Sequence, residues 1–185
     1  LAAAFDHMQL TYPRREGFKY IIMGFSIGTG PSAYFASREE YSTMVEACIL
    51  IAPYKSLLQV AGALARDVAQ SHGLSYTGDA VSSVMSAISL ACRTSIPKFC
   101  ASNWVTIDNV TKLQCQLLVM HARNDETIPF SHGEQIVEAA KASKVDSYLN
   151  VFPCEFTHVQ SRLHKRWKIL PAVAAVILNV NRRCH

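Results

Sequence analysis

Short, nearly unbroken apolar runs at Tyr20 to Met23, Val45 to Pro53, Gln116 to His121 and Tyr148 to Phe152 predict buried strands. A strand covered on both faces needs no polar alternation, and a proline such as Pro53 ends it. Between the runs the apolar spacing turns helical. Leu1 to Thr11 carries Phe5, Met8 and Leu10 on a helical period and closes at Tyr12-Pro13. A second helix is predicted from about Thr29 to Ser37, with Pro31 in its early turns forfeiting one N–H. Ser131 to Ala142 places Ile136, Val137 and Ala140 on one face, with Ser131 as cap and Glu134 in the capping-box position. Phe99 to Val110 reads as a loop leading to a short helix, and Leu163 to Leu178 as a closing amphipathic helix broken near Pro171.

Residues 55–97 differ from the rest. Helix-like patches at Leu57 to Ala69 and Val81 to Leu90 are split by Gly73, Gly78 and several serines. This segment reads as an insertion, either a cap over the neighbouring rim of the sheet or a pair of ordinary packing helices. The whole order is then α-β-α-β-(insertion)-β-α-β-α. Alternation at this spacing predicts an α/β fold: a mostly parallel sheet with helices on both faces and a helical, cap-like insertion between strands. In such sheets the working residues gather at the carboxyl ends of the strands.

The first strand runs into Gly24-Phe25-Ser26-Ile27-Gly28 and then into a helix. A strand–G-x-S-x-G–helix order is the setting in which a serine is held in a strained turn with its hydroxyl above the sheet. Small residues two before and two after the serine are expected to keep strand and helix apart. The helix N-terminus favours negative charge there, and the Ile27 N–H is placed to donate to an oxyanion. A serine hydroxyl becomes a nucleophile when an imidazole takes its proton, and a carboxylate fixes the tautomer of that imidazole. Ser26, Asp125 and His158 each lie just past a predicted strand, which assigns them as nucleophile, orienting acid and base.

The rivals fit less well. Asp108 precedes a strand, at the wrong end of the sheet, and reads as a helix cap. Asp79 and Asp146 lie in loops without strand-end placement, and Glu126 is the best substitute acid. Among the histidines, His121 ends a strand but is close to the acid in sequence. His132 opens a helix, where a structural hydrogen bond is the usual role, while His72 and His164 belong to the insertion and the last helix.

Composition narrows the remaining classes. The chain has 185 residues, half of them hydrophobic and 17% charged, enough for one domain with a sizeable core and unlike a disordered chain. Its net charge of +4 is scattered, apart from residues 162–166 and Arg182-Arg183. No basic run is interleaved with aromatics, which argues against a nucleic-acid partner. The six cysteines (Cys48, Cys92, Cys100, Cys115, Cys154 and Cys184) form no C-x-x-C and no ligand-like spacing with histidine. They predict no metal and fit small buried hydrophobes in a reducing, cytoplasmic setting. Asn109-Val110-Thr111 matches a glycosylation acceptor, a three-residue pattern common by chance. The first residues, Leu1-Ala2-Ala3-Ala4-Phe5, lack the layout of a signal peptide and read as a helix under way, as in a fragment. No apolar run is long enough to cross a bilayer.

Taken together, Gly24 to Pro31, Ala52 to Leu57, His121 to Glu126 with Pro129 to Gly133, and the late His158 resemble the α/β-hydrolase-domain-containing proteins. The nearest resemblance is to the subfamily 17-like group, which includes protein depalmitoylases. The order Ser, Asp, His is the order of that fold. The resemblance covers nearly all of residues 1–185 except the insertion. It implies the C-terminal part of a single α/β-hydrolase domain, with a Ser-His-Asp triad that cleaves acyl esters or thioesters through an acyl-enzyme. It implies S-acylated protein as one substrate; the mechanism itself calls for no cofactor, and peripheral association with a membrane is a further expectation. Peptide cleavage of the prolyl-oligopeptidase type and a non-catalytic scaffold are the alternatives. The chain departs from the family at Ala122, where glycine is usual, and at Thr157, where a smaller residue often precedes the histidine. The insertion is longer, and no His-Gly-Asn-like stretch supplies a second oxyanion donor. Loss of one such donor costs about two to three orders of magnitude in rate. These residues alone are therefore expected to fold poorly or to be inactive.

Overall fold

A computed structural model describes residues 2–11, 20–57, 59–60 and 104–152. Most of the insertion and the closing helix expected at 163–178 lie outside the described residues. Helix α1 spans Ala2–Thr11, strand β1 Tyr20–Phe25, helix α2 Thr29–Ser37, a short α3 Glu39–Ser42 and strand β2 Val45–Ile51. After the insertion come α4 (Thr106–Val110), β3 (Gln116–Ala122), α5 (Phe130–Ala142) and β4 (Ser147–Phe152). All four predicted strands form, each within a few residues of its apolar run.

The strands make one parallel sheet in the order β1-β2-β3-β4. Each strand lies beside its predecessor, and every step across the sheet runs the same way. Right-handed crossovers then put the described connecting helices on one face, as their packing bears out. Phe5 of α1, Ala33, Phe35 and Ala36 of α2, Tyr41 of α3, Val110 of α4, and Ile136, Val137 and Ala140 of α5 share one cluster with Cys48, Leu50, Leu117 and Val119 of the sheet. An aromatic group ties α1 to this face: Phe5 meets the rings of Tyr20 and Phe35 edge-on, at 4.8 and 5.1 Å. On the opposite face Ile49, Ile51, Leu118, Met120 and Ala122 form a second buried cluster. The described helices thus cover one of the two faces expected.

Three local expectations need correction. Leu10 is 83% exposed, so α1 buries Phe5 but not its last apolar residue. Ser131 does not cap α5, and the capping box with Glu134 does not form. The helix starts one residue earlier, with Pro129 in the N-cap position and no side-chain cap bond. The proline holds φ at −51° and ψ at 135°, and its carbonyl accepts the His132 N–H at 2.9 Å; this turns the chain into the helix without a hydroxyl. Asp108 likewise caps nothing through its side chain. Val105 precedes α4, and Asp108 sits inside the first turn.

Candidate active site

Ser26 follows β1 directly, with φ at 51°. For a residue with a Cβ this left-handed conformation is strained. Phe25 before it is extended, and residues 26–28 form a 3-10 turn that leads into α2. The turn is closed so tightly that a Cβ at Gly24 would lie 2.6 Å from the Gly28 carbonyl oxygen and 2.7 Å from Ser32 Oγ. Gly24 therefore meets the expected steric demand, but Gly28 does not: a Cβ there would meet nothing within 4 Å. The second demanding position is Gly30, outside the five-residue pattern, where a Cβ would overlap the Tyr54 hydroxyl.

The backbone just past the serine is tied down by two hydroxyls. The Ser26 carbonyl accepts the Thr29 hydroxyl at 2.6 Å and also the Thr29 N–H. The Ile27 carbonyl accepts the Tyr54 hydroxyl at 3.3 Å. Tyr54 is fully buried and comes from the loop after β2, where Ala52 also has a positive φ, 49°. The Ile27 side chain is 62% exposed.

Asp125 lies on the same rim, just past β3. Its side chain is wholly buried, with Oδ1 accepting the N–H groups of Thr127 at 2.9 Å and Ile128 at 2.8 Å. Glu126, the substitute acid, is exposed, and burial thus separates the two neighbouring carboxylates. His121 Nε2 lies 2.9 Å from the Ile128 carbonyl oxygen and 3.4 Å from Asp125 Oδ2. The contact with a carbonyl assigns the hydrogen to Nε2. Nδ1 is buried without a hydrogen-bond partner among the described residues and faces Gly133, where a Cβ would come within 2.6 Å of it. His121 therefore belongs to the structure of the acid loop. Its spacing four residues before Asp125 was the available signal, once the strand end is seen to be followed by a tight turn.

His132 makes the structural hydrogen bond expected of it: Nδ1 accepts the Lys55 N–H at 3.4 Å, while Lys55 Nζ donates to Gln135 Oε1 at 2.6 Å. Burial, then the nearby Lys55 and His121, lowers the His132 pKa below its usual value. Asp146 lies at the opposite rim, before β4, where Oδ2 accepts from Gln116 Nε2 at 2.9 Å. His158, His72 and His164 lie outside the described residues, and so does any contact of His158 with Ser26 or Asp125. Cys48 and Cys115 are free buried thiols. Burial pushes Cys115 up to about 12 and Cys48 well above its usual value, so neither is a nucleophile at neutral pH. Among the described residues no group of three or more His, Cys, Asp or Glu side chains could hold a metal ion, and no helix is long and apolar enough to cross a membrane.

No family model matches the chain. It is 29% identical over 125 residues to the α/β hydrolase domain-containing protein aho-3 of Caenorhabditis elegans, a match that covers 68% of this chain and 27% of that protein. The chain thus spans about a quarter of the length of this curated relative. Among solved structures it is similar to an esterase of Pyrococcus furiosus, with a TM-score of 0.65 and 12% identity over 96% of this chain and 59% of the other. An acylaminoacyl peptidase of Pyrococcus horikoshii gives 0.58 and 11%, over 85% and 22%. A puromycin-hydrolysing peptidase of Mycobacterium tuberculosis gives 0.58 and 16%, over 85% and 21%. At these identities the likeness shows the fold: a mostly parallel sheet with helices, as in the α/β hydrolases.

Proposed function

We propose that this chain carries the catalytic rim of a serine hydrolase acting on acyl esters or thioesters. Ser26 Oγ attacks the acyl carbonyl, His158 takes its proton and later returns it to the leaving group, and Asp125 orients the imidazole. The Ile27 N–H donates to the oxyanion. Water then releases the acyl group from the serine. The observation that carries this reading is the strained Ser26, φ 51°, set between a strand and a helix on the rim that also holds the buried Asp125 carboxylate. The strands behind these two residues are separated by one other, about 10 Å, and a histidine entering from the loop after β4 would reach both.

The resemblance to the subfamily 17-like group makes an S-acylated protein at a cytoplasmic membrane surface the leading substrate, with no cofactor required. Similarity to acyl peptidases supports a second reading, cleavage of short N-acylated peptides on the same triad. A fluorophosphonate probe on the full-length protein tests the first claim. Labelling is expected in the wild type, absent in Ser26→Ala, and strongly reduced in His158→Ala and Asp125→Asn. Replacing the nucleophile is expected to lower kcat by about four orders of magnitude or more. Equal labelling of wild type and Ser26→Ala overturns the assignment. Parallel assays on an acyl ester, an acyl thioester and an N-acylated dipeptide anilide separate the two substrate classes.

A further inference from the structure

We infer that Thr29 and Tyr54 are positioning residues for the oxyanion donor, a role that rests on the proposed hydrolase reading. The Ile27 N–H belongs to the peptide unit whose carbonyl is that of Ser26. In a trans peptide the N–H and the carbonyl point in opposite directions, so whatever fixes the carbonyl aims the N–H. The Ser26 carbonyl is held by a short 2.6 Å bond from Thr29 Oγ1 as well as by the Thr29 N–H. Both donors lie in the first turn of α2, which draws the carbonyl toward the helix and turns the Ile27 N–H away from it, out beyond the helix N-terminus. The next peptide unit is held by Tyr54, whose hydroxyl reaches the Ile27 carbonyl at 3.3 Å, a longer bond and the weaker of the two.

The Ile27 side chain is 62% exposed, so side-chain packing does not set its backbone angles. Ser26 beside it is already in a strained conformation, and an unrestrained peptide would be free to relax. A hydroxyl at residue 29 bonding to the carbonyl three residues back is a common helix-start contact. Here that carbonyl shares its peptide plane with the expected oxyanion donor, and a change in the contact therefore changes catalysis. A preorganised donor acts at the moment charge develops, without reorganisation. Loosening it raises the barrier and leaves substrate binding alone.

The test uses full-length protein, with active sites counted by fluorophosphonate titration so that misfolded molecules do not register. Thr29→Val, which keeps shape and loses the hydroxyl, is expected to lower kcat about tenfold with KM unchanged; removing a donor altogether costs about 10²–10³. The inhibition constant of a trifluoromethyl ketone, whose hemiketal oxygen occupies the oxyanion position, should rise by the same factor as kcat/KM falls. Thr29→Ser should restore kcat to within about threefold. Tyr54→Phe, which keeps the ring beside Gly30, should lower kcat about threefold, and it keeps the inference testable should Thr29→Val fail to fold. Wild-type kcat and ketone affinity in both Thr29→Val and Tyr54→Phe would overturn the inference, as would a Thr29→Ser variant as impaired as Thr29→Val. A wild type that shows no Ser26-dependent labelling would overturn the hydrolase reading itself, and the positioning role with it.

Discussion

A methyl group added at Gly30 would overlap the Tyr54 hydroxyl and come within 3.0 Å of Trp104 Cβ. The Tyr54 ring is fully buried and cannot swing into solvent, so the start of α2 must move. Gly30→Ala is therefore expected to destabilise by about 1–3 kcal/mol, the usual cost of overpacking. At Gly28 the added methyl meets open space, and φ is −68°, ordinary helical backbone. Gly28→Ala is expected to stabilise by about 0.4–1 kcal/mol through the unfolded chain. Urea midpoints of the two variants check the pair, and a Gly28→Ala variant less stable than Gly30→Ala would contradict it. The contrast marks what one sequence can show. The strained serine and the acid past a strand end were legible because each depends on its own neighbours. The demand at Gly30 comes from Tyr54, a ring brought in from the next strand's loop, and local spacing carries no trace of it. The place of His121 against Asp125 was half legible: the four-residue spacing put it near the acid and chain order removed it as the late base, but only the folded turn shows it bracing the acid loop.

Elements are joined here by contacts that respond to pH and to backbone choice. At the end of α5, Lys144 has φ of 63°, and the Val145 N–H bonds back to the Ala140 carbonyl. This is the left-handed closing position where glycine is favoured. Relief of about 1–2 kcal/mol of left-handed strain, set against about 0.5–1 of added chain entropy, leaves Lys144→Gly more stable by about 0.5–1 kcal/mol. A rise in the urea midpoint is the readout. The start of α5 is tied to the loop after β2 through His132, whose pKa burial and Lys55 lower from 6.5. A group lowered in this way binds its proton more readily in the unfolded chain. The His132 contribution is therefore fully present above about 6.5 and declines as the pH falls toward the lower folded-state value. His132→Asn keeps an acceptor for the Lys55 N–H and removes the titration. Its stability is expected to fall less between pH 7.5 and 5.5 than that of the wild type; equal losses would rule out this origin. Strand positions were legible at this scale because buried parallel strands need apolar runs. The helix start was not, since Ser131 and Glu134 offered a cap that Pro129 made unnecessary.

For the molecule as a whole, strand order decides which side of the sheet is finished. Four parallel strands laid down in sequence, joined by right-handed crossovers, place the described connecting helices on one face. The expectation of helices on both faces came from alternation; the described helices account for one face, and the closing helix expected at 163–178 lies outside the described residues. The second face is buried at its centre, yet its margin along β1 is open: Met23 is 59% exposed and Ile21 is also exposed. On the outer side β1 has no strand neighbour among the described residues. Parallel sheets are stable when both faces are covered, and an open apolar margin beside an unpaired edge invites association. The margin also lies beside the strand that delivers Ser26, so whatever covers it bears on the setting of that serine. In the full-length protein Met23→Asp is therefore expected to destabilise by about 2–4 kcal/mol, the cost of placing a charge in an apolar contact. Leu10→Lys, at the 83% exposed end of α1, should by contrast stay within about 0.5 kcal/mol, as at an exposed site. Paired urea melts measure the difference directly. Equal small effects in both would mean that this side of the sheet stays open to solvent, and that β1 holds its serine with one covered face alone.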